Sequence, residues 1–223
     1  MAIAIPAAVG FATAAALPVV YTTSMVALGE CAVVTPGDTV LVHAAAGGIG
    51  LAAVEIAKAM GADVIATAGS ADKLAIAQDH GADVLINYTA DDWVKRVKDA
   101  TGGKGANHII DPVGGTISEQ SLRCIARDGN LLIVGFASGD IPKLEGHRLL
   151  LKRAAAKGVY WNHDHDGPML KRVSKRLIGM LETGAINPVV DTRFGFEQLP
   201  EALRALQSRN SSGKLVLKVG GDD

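Results

Sequence analysis

Short apolar runs alternate with amphipathic stretches along most of this chain. Val40, Leu41 and Val42 form a run of the kind a buried parallel strand needs. Comparable runs lie at 63–68, 84–88, 107–111, 130–136 and 157–161. Between them the apolar positions move to helical spacing, as in Leu51, Val54, Ile56 and Ala57 around Glu55 and Lys58. Helices are expected at about 20–29, 48–60, 71–80, 90–100, 114–126 and 147–153. Ser70 sits at an N-cap position, and Gly61 and Gly81 close the helices before them. Successive β-α units require right-handed crossovers, so the pattern predicts an α/β fold built on a doubly wound parallel sheet. After about residue 163 the alternation breaks. A helix at 168–183, extended pieces at 188–190 and 193–196, a helix after Pro200 and an apolar run at 214–219 make a C-terminal α+β segment.

The stretch Thr39 to Val54 organises the rest. Its strand runs into a turn of small residues, Ala44-Ala45-Ala46-Gly47-Gly48-Ile49-Gly50, and then a helix. Ala45-x-Gly47-x-x-Gly50 is a variant of the Rossmann fingerprint, with Ala in the first glycine's place. The second glycine lets backbone approach a pyrophosphate, and the third lets helix pack close to strand. The helix start aims its free N–H groups and positive dipole end at whatever fills the turn. Ala46, Gly47, Gly48, Ile49 and Gly50 are therefore candidate cofactor contacts. The expected division is a lead-in segment and helix at 1–30, a dinucleotide-binding domain at 31–162, and the remaining segment at 163–223.

In open α/β sheets ligands lie beyond the carboxyl ends of the strands, where the strand order reverses. Asp111-Pro112-Val113-Gly114-Gly115 and Gly135-Phe136-Ala137-Ser138-Gly139 follow strands four and five and are expected to flank that crevice. The tip of strand two decides between dinucleotides, because NAD enzymes place a carboxylate there for the ribose 2′-OH. Here the tip is Ala68, followed by Gly69, Ser70 and Lys73. With no acid to repel a 2′-phosphate, and a hydroxyl and a cation to hold one, NADP is favoured over NAD.

Composition narrows the classes further. Of 223 residues, 48% are hydrophobic, 4% aromatic and 26 are glycine, which suits an Ala/Val/Ile/Leu-rich α/β protein. The formal net charge of −1, with cations scattered, gives no basis for nucleic-acid or anionic-membrane binding. Cys31 and Cys124 lack metal-ligand or redox spacing and read as reduced thiols. No uninterrupted apolar run approaches membrane-spanning length, so a soluble cytoplasmic protein is expected. His163-Asp164-His165-Asp166 reads as a solvated loop rather than a metal site, since consecutive side chains point apart. No metal is expected. Spacing alone assembles no Ser-His-Asp or Cys-His grouping, and no catalytic residue is assigned.

Leu17-Pro18-Val19-Val20-Tyr21-Thr22-Thr23, the stretch Pro36 to Gly50, Asp111 to Gly115 and Val134 to Gly139 occur together and in order. With these motifs the chain resembles the zinc-free quinone oxidoreductases (ζ-crystallin-like) of the medium-chain dehydrogenase/reductase superfamily, from about residue 5 to 219. Relatives with the same nucleotide-binding half include enoyl reductases acting on thioesters. The resemblance implies NADPH as hydride donor to a quinone or an α,β-unsaturated carbonyl. It places Thr23 toward the nicotinamide, Gly47 to Gly50 on the pyrophosphate, and Ser70 and Lys73 on the 2′-phosphate. Tyr88 falls near the adenosine end, and Phe136, Ala137 and Ser138 near the carboxamide. It also implies a homodimer through the strand-six edge, around 157–161. The family begins with a GroES-like catalytic domain, and this sequence starts where that domain hands over to the nucleotide fold. The C-terminal segment folds back onto that domain in relatives, so Phe194, Phe196 and 214–219 are expected to be short of partners. A non-catalytic NADP(H)-binding module, acting as sensor or subunit, is the alternative reading.

Overall fold

A computed structural model describes residues 4–90, 92–208 and 211–219. The chain enters through α1 (Phe11–Ala16) and α2 (Val20–Met25), then lays down β1 (Thr39–Val42), α3 (Gly48–Ala59), β2 (Asp63–Ala68), α4 (Ala71–Asp79) and β3 (Val84–Asn87). A second half follows with α5 (Trp93–Ala100), β4 (Ala106–Asp111), α6 (Gly115–Ser121), β5 (Ile125–Ile133), α7 (Gly146–Lys152) and β6 (Ala155–Gly158). The six strands form one sheet in the order β3-β2-β1-β4-β5-β6, and every neighbouring pair is parallel. The order reverses between β1 and β4, which creates the switch-point crevice that the fingerprint anticipates.

The period of two along a strand divides the core between the two faces of the sheet. Val40 and Val42 join α2 and α3 residues on one side, with Val173 and Leu177 from α8 (Gly167–Glu182). Leu41 points to the other side, among Trp93, Val94, Val97 and Leu122. Val40, Leu41 and Val42 are fully buried, so both faces must be covered by helices.

Several boundaries differ from the sequence expectation, each for a tertiary reason. The helix expected to stop at Gly29 runs on as a π-helical segment, Val26–Ala32. Gly29 serves packing rather than termination, since a Cβ there would sit 2.9 Å from a guanidinium nitrogen of Arg176 on α8. The segment ends at Val33, a β-branched residue with φ 57°. The helix expected to reach 126 stops at Ser121, because Ile125 is drawn into the sheet beside Ala106. There the register shifts, and Asp128 takes φ 62°. The helix expected from 90 starts at Trp93, with the Asp92 carboxylate accepting from the Lys95 N–H; Asp91 lies outside the described residues. Strand six spans Ala155–Gly158 rather than 157–161, since the chain beyond Val159 leaves the sheet toward α2.

The C-terminal segment also corrects an expectation. Residues 214–219 find partners within their own segment: β7 (Val190–Asp191) pairs with β8 (Lys214–Leu215), and Gly195 bridges to Lys218. Arg193 stands over the Phe194 ring, 5.2 Å from its centre. Phe196, and Leu199, Leu203 and Leu206 of α9 (Leu199–Gln207), are exposed.

Candidate cofactor site

The fingerprint turn is held at both ends by the sheet. The His43 N–H donates to the Ile110 carbonyl and the Ala45 N–H to that of Thr67, so the chain is still in the ladder as it turns. Ala44, rather than a glycine, takes the left-handed conformation (φ 49°), and the Gly47 N–H closes the turn on the Ala44 carbonyl at 2.9 Å. Gly47 caps α3 with no side chain, so the first N–H groups of a twelve-residue helix open into the turn. A Cβ on Gly50 would fall 2.3 Å from the Ala44 oxygen and 2.7 Å from the Ala45 Cα. That is the close helix-to-strand approach for which the third glycine is required.

Two further elements wall the turn. From α2, the Ser24 hydroxyl donates to the Ile49 carbonyl, and Val20 lies 3.2 Å from where a Gly48 Cβ would be. From the C-terminal segment, the Gly213 N–H donates to the Ala46 carbonyl at 3.0 Å. Gly213 is a site-forming residue that sequence reasoning missed, because no local pattern ties residue 213 to residue 47.

The loops after β4 and β5 are zipped together across the crevice. Ala137 and Ser138 donate from backbone to the carbonyls of Pro112 and Val113, and Gly115 donates to that of Asp140. Gly114 (φ 80°) lets the Phe136 ring approach to 2.9 Å of a Cβ position. Gly135 lies 3.5 Å in the same sense from the Pro112 oxygen. The structure thus brings Val113, Gly135, Phe136, Ala137 and Ser138 to one rim. At the far rim the Tyr88 hydroxyl lies 2.9 Å from the Cβ position of Gly69, and the Tyr88 N–H bonds to the Ala68 carbonyl. Ser70 caps α4, its hydroxyl accepting from the Lys73 N–H at 3.4 Å. Ser70, Lys73 and Tyr88 therefore gather around the carboxyl end of β2. Thr23 lies on α2, and its hydroxyl accepts a hydrogen bond from the Trp161 indole at 3.1 Å.

Beneath the turn lies a buried polar grouping that spacing did not reveal. His43 hydrogen-bonds Thr67 through Nδ1 (2.9 Å) and Ser121 through Nε2 (3.0 Å), with Trp93 edge-on at 4.9 Å. Burial pushes its pKa down to about 4, opposed by the charge of Asp111. Asp111 is fully buried and accepts from the N–H groups of Val113 and Gly114 and from the Ser118 hydroxyl. With no solvent access these groups position the loops and are not placed to attack a substrate. A second buried carboxylate, Glu55 of α3, accepts from the Tyr21 hydroxyl and the Asn187 N–H and pairs with His80. It ties α2, the end of α4 and the C-terminal segment to the cofactor helix. Burial pushes both thiols up, that of Cys124 to about 12. Among the described residues no three of His, Cys, Asp or Glu converge to hold a metal ion. In the 163–166 loop, the Asn162 side chain accepts the N–H groups of Asp164 and His165, as a solvated turn does.

A parallel six-stranded sheet with a glycine cradle at its switch point is a Rossmann-type, nucleotide-binding architecture. The family model described as zinc-binding dehydrogenase matches residues 48–176, and the chain belongs to that family, within the quinone oxidoreductases of the medium-chain dehydrogenase/reductase superfamily. Quinone oxidoreductase-like protein 2 homolog of Nematostella vectensis is 40% identical over 219 residues, 96% of this chain and 60% of that protein. The Escherichia coli quinone oxidoreductase complexed with NADPH superposes with a TM-score of 0.88 at 32% identity, over 96% of this chain and 67% of that one. A Pseudomonas syringae quinone oxidoreductase gives 0.88 at 29% identity, over 97% and 67%. The chain thus spans about 60% of the length of the quinone oxidoreductase-like relatives it matches. Among the described residues no helix is long and apolar enough to cross a membrane.

Proposed function

We propose that this chain binds NADP(H) and serves an NADPH-dependent, zinc-independent reductase acting on a quinone or an α,β-unsaturated carbonyl. The observation that carries the reading is the cradle at Gly47 to Gly50, where a Cβ on Gly50 would collide with backbone and the α3 N–H groups stand uncapped. That cradle suits a pyrophosphate, whose charge the helix N-terminus stabilises. Ser70, Lys73 and Tyr88 around an acid-free β2 tip favour a 2′-phosphate and adenosine there. Thr23, fixed by Trp161, and the 135–138 loop would flank the nicotinamide. When bound, the nicotinamide supplies the hydride. The chain's own residues bind it, orient it and shield one rim of the crevice. We assign no residue of this chain as a general acid.

The same reading divides the chain at 30 and 162, assigns 163–223 to a catalytic domain, and places the protein in the cytoplasm. A homodimer through β6 is part of the proposal. That strand lies at the sheet edge, beside exposed Tyr160, Leu150 and Leu151. The test is NADPH oxidation by the 223-residue chain with a quinone and a short enone, against a control lacking protein. Acceptor-dependent turnover supports a reductase. NADPH binding without turnover supports the second reading, a non-catalytic NADP(H) module. Equal affinity for NADH refutes the NADP assignment.

A further inference from the structure

Ala44 sits at φ 49°, a conformation that L side chains disfavour, so the turn keeps its shape through contacts with its surroundings. Beyond the sheet bonds of His43 and Ala45, two hydrogen bonds from other elements reach it. One comes from the fully buried Ser24 of α2, whose hydroxyl donates to the Ile49 carbonyl. The other is the Gly213 N–H on the Ala46 carbonyl, from a stretch, 211–217, that is half-buried throughout. The Ala46–Gly47 peptide is thereby pinned twice: its carbonyl takes the Gly213 N–H at 3.0 Å, and its N–H goes to the Ala44 carbonyl at 2.9 Å. Turned over, it would set its own oxygen against that of Ala44 and lose both bonds. Gly213 is in turn held by its neighbours. At φ 64° its Cβ position lies within 2.4 Å of the Val189 oxygen, and the Lys214 and Val216 N–H groups donate to the Val189 and Asp191 carbonyls. Two residues before Val189, the Asn187 N–H donates to Glu55, the buried carboxylate of α3. Stretches 187–191 and 211–216 thus form a clasp, with one end on the turn and the other on the helix that the turn starts.

We infer that this clasp is a closing device for the cofactor cradle: NADP(H) binding and docking of Gly213 on Ala46 are linked, each strengthening the other. The inference rests on the NADP(H) reading above and adds a moving part to it. A single backbone bond at an isolated bridge is a contact that opens locally while the core stays folded. When it opens, the strained turn loses its outer support. The α3 N–H groups then lose the fixed placement that a pyrophosphate needs. A ligand that binds the docked form better shifts the clasp toward closure, and linkage makes the effect reciprocal. The Glu55 anchor keeps the open clasp close to the turn, so closure is a local step.

The test measures backbone hydrogen exchange and NADPH affinity in the 223-residue chain, Gly213→Ala and Gly102→Ala. A methyl on Gly213 collides with the Val189 backbone and displaces the donor. Gly102 has a similar φ of 57° with open space around it, so Gly102→Ala carries the backbone strain without touching the clasp. The expected result is exchange over 211–219 slowed at least fivefold by NADPH in the parent. Gly213→Ala is expected to bind NADPH at least tenfold more weakly and to exchange faster over 44–50 even without ligand, while Gly102→Ala matches the parent in both. Parental NADPH affinity in Gly213→Ala, or exchange over 211–219 that ignores bound NADPH, overturns the inference. An equal loss of affinity in Gly102→Ala assigns the effect to strain and overturns it too. The exchange measurement on the parent decides the matter even where Gly213→Ala fails to fold. A parent that binds no NADPH, with 44–50 still loosened in Gly213→Ala, refutes the cofactor reading and leaves the clasp as a fixed brace of the turn; no loosening there refutes the clasp itself.

Discussion

Gly50 and Gly47 stand three residues apart in the same turn, yet the structure assigns them different jobs that can be separated by experiment. Ala at position 50 places its methyl 2.3 Å from the Ala44 oxygen and 2.7 Å from the Ala45 Cα. Both are backbone atoms, so no rotamer change relieves the contact and α3 must lift from the turn. Overpacking of this kind costs up to about 3 kcal/mol. The better helix propensity of Ala over Gly returns about 1 kcal/mol. The net loss of about 2 kcal/mol corresponds to a Tm lower by about 4–8 °C in a chain of this size. Ala at position 47 meets only the Ala44 oxygen, at 3.3 Å, and its φ of −78° and ψ of 168° suit any residue. Gly47→Ala is therefore expected to leave Tm within about 2 °C of the parent, a change of under 1 kcal/mol. Its cost falls on the ligand, because the added methyl keeps backbone from a bound pyrophosphate; NADPH affinity is expected to drop at least tenfold. Circular dichroism melting and fluorescence titration with NADPH read the two effects. A Gly50→Ala chain as stable as the parent refutes the packing argument. A Gly47→Ala chain that binds NADPH like the parent refutes the cradle as a phosphate site.

Lys73→Ala is expected to weaken NADPH by about 10- to 100-fold, the worth of a hydrogen bond to a charged group, and to leave NADH unchanged; equal effects on both in calorimetry refute the 2′-phosphate assignment. His43 titrates lower in the folded chain, at about 4, than its ordinary value of 6.5, so unfolding takes up a proton between those values. The stability it confers is complete above pH 6.5 and is lost as pH falls toward 4, by roughly 3 kcal/mol in all. The urea midpoint of the parent is expected to fall more between pH 7.5 and 5 than that of His43→Gln, and parallel slopes refute this. Val33→Asn is expected to raise Tm by about 2–4 °C, because a β-branched residue at φ 57° carries about 1 kcal/mol of strain that Asn tolerates better; an unchanged Tm counts against it.

Much of the architecture was legible because it is written in local chemistry. Apolar runs of strand length, glycines after helices and a capping Ser70 mark β1 to β4 and α3 to α5 within a few residues. Errors cluster where a distant partner overrides the local signal. Gly29 looks like a helix stop and is instead a packing gap for Arg176, 147 positions along the chain. Ile125 looks like the end of a helix and is claimed by β4. Residues 214–219 look short of partners and find them in 190–191 and 195, since a parallel pair needs no hairpin to announce it.

The candidate site divides in the same way. The sequence by itself determined the alternation that makes a parallel sheet, the strand-turn-helix cradle, and the acid-free tip of β2, because each depends on residues within one turn or one element. Only the tertiary structure decided that Gly213 walls the turn, that His43 is buried between Thr67 and Ser121, and that Trp161 is bonded to Thr23. Those contacts join residues 24 to 167 positions apart. Burial, packing distance and hydrogen-bond reach are properties of the folded chain, and no local pattern carries them.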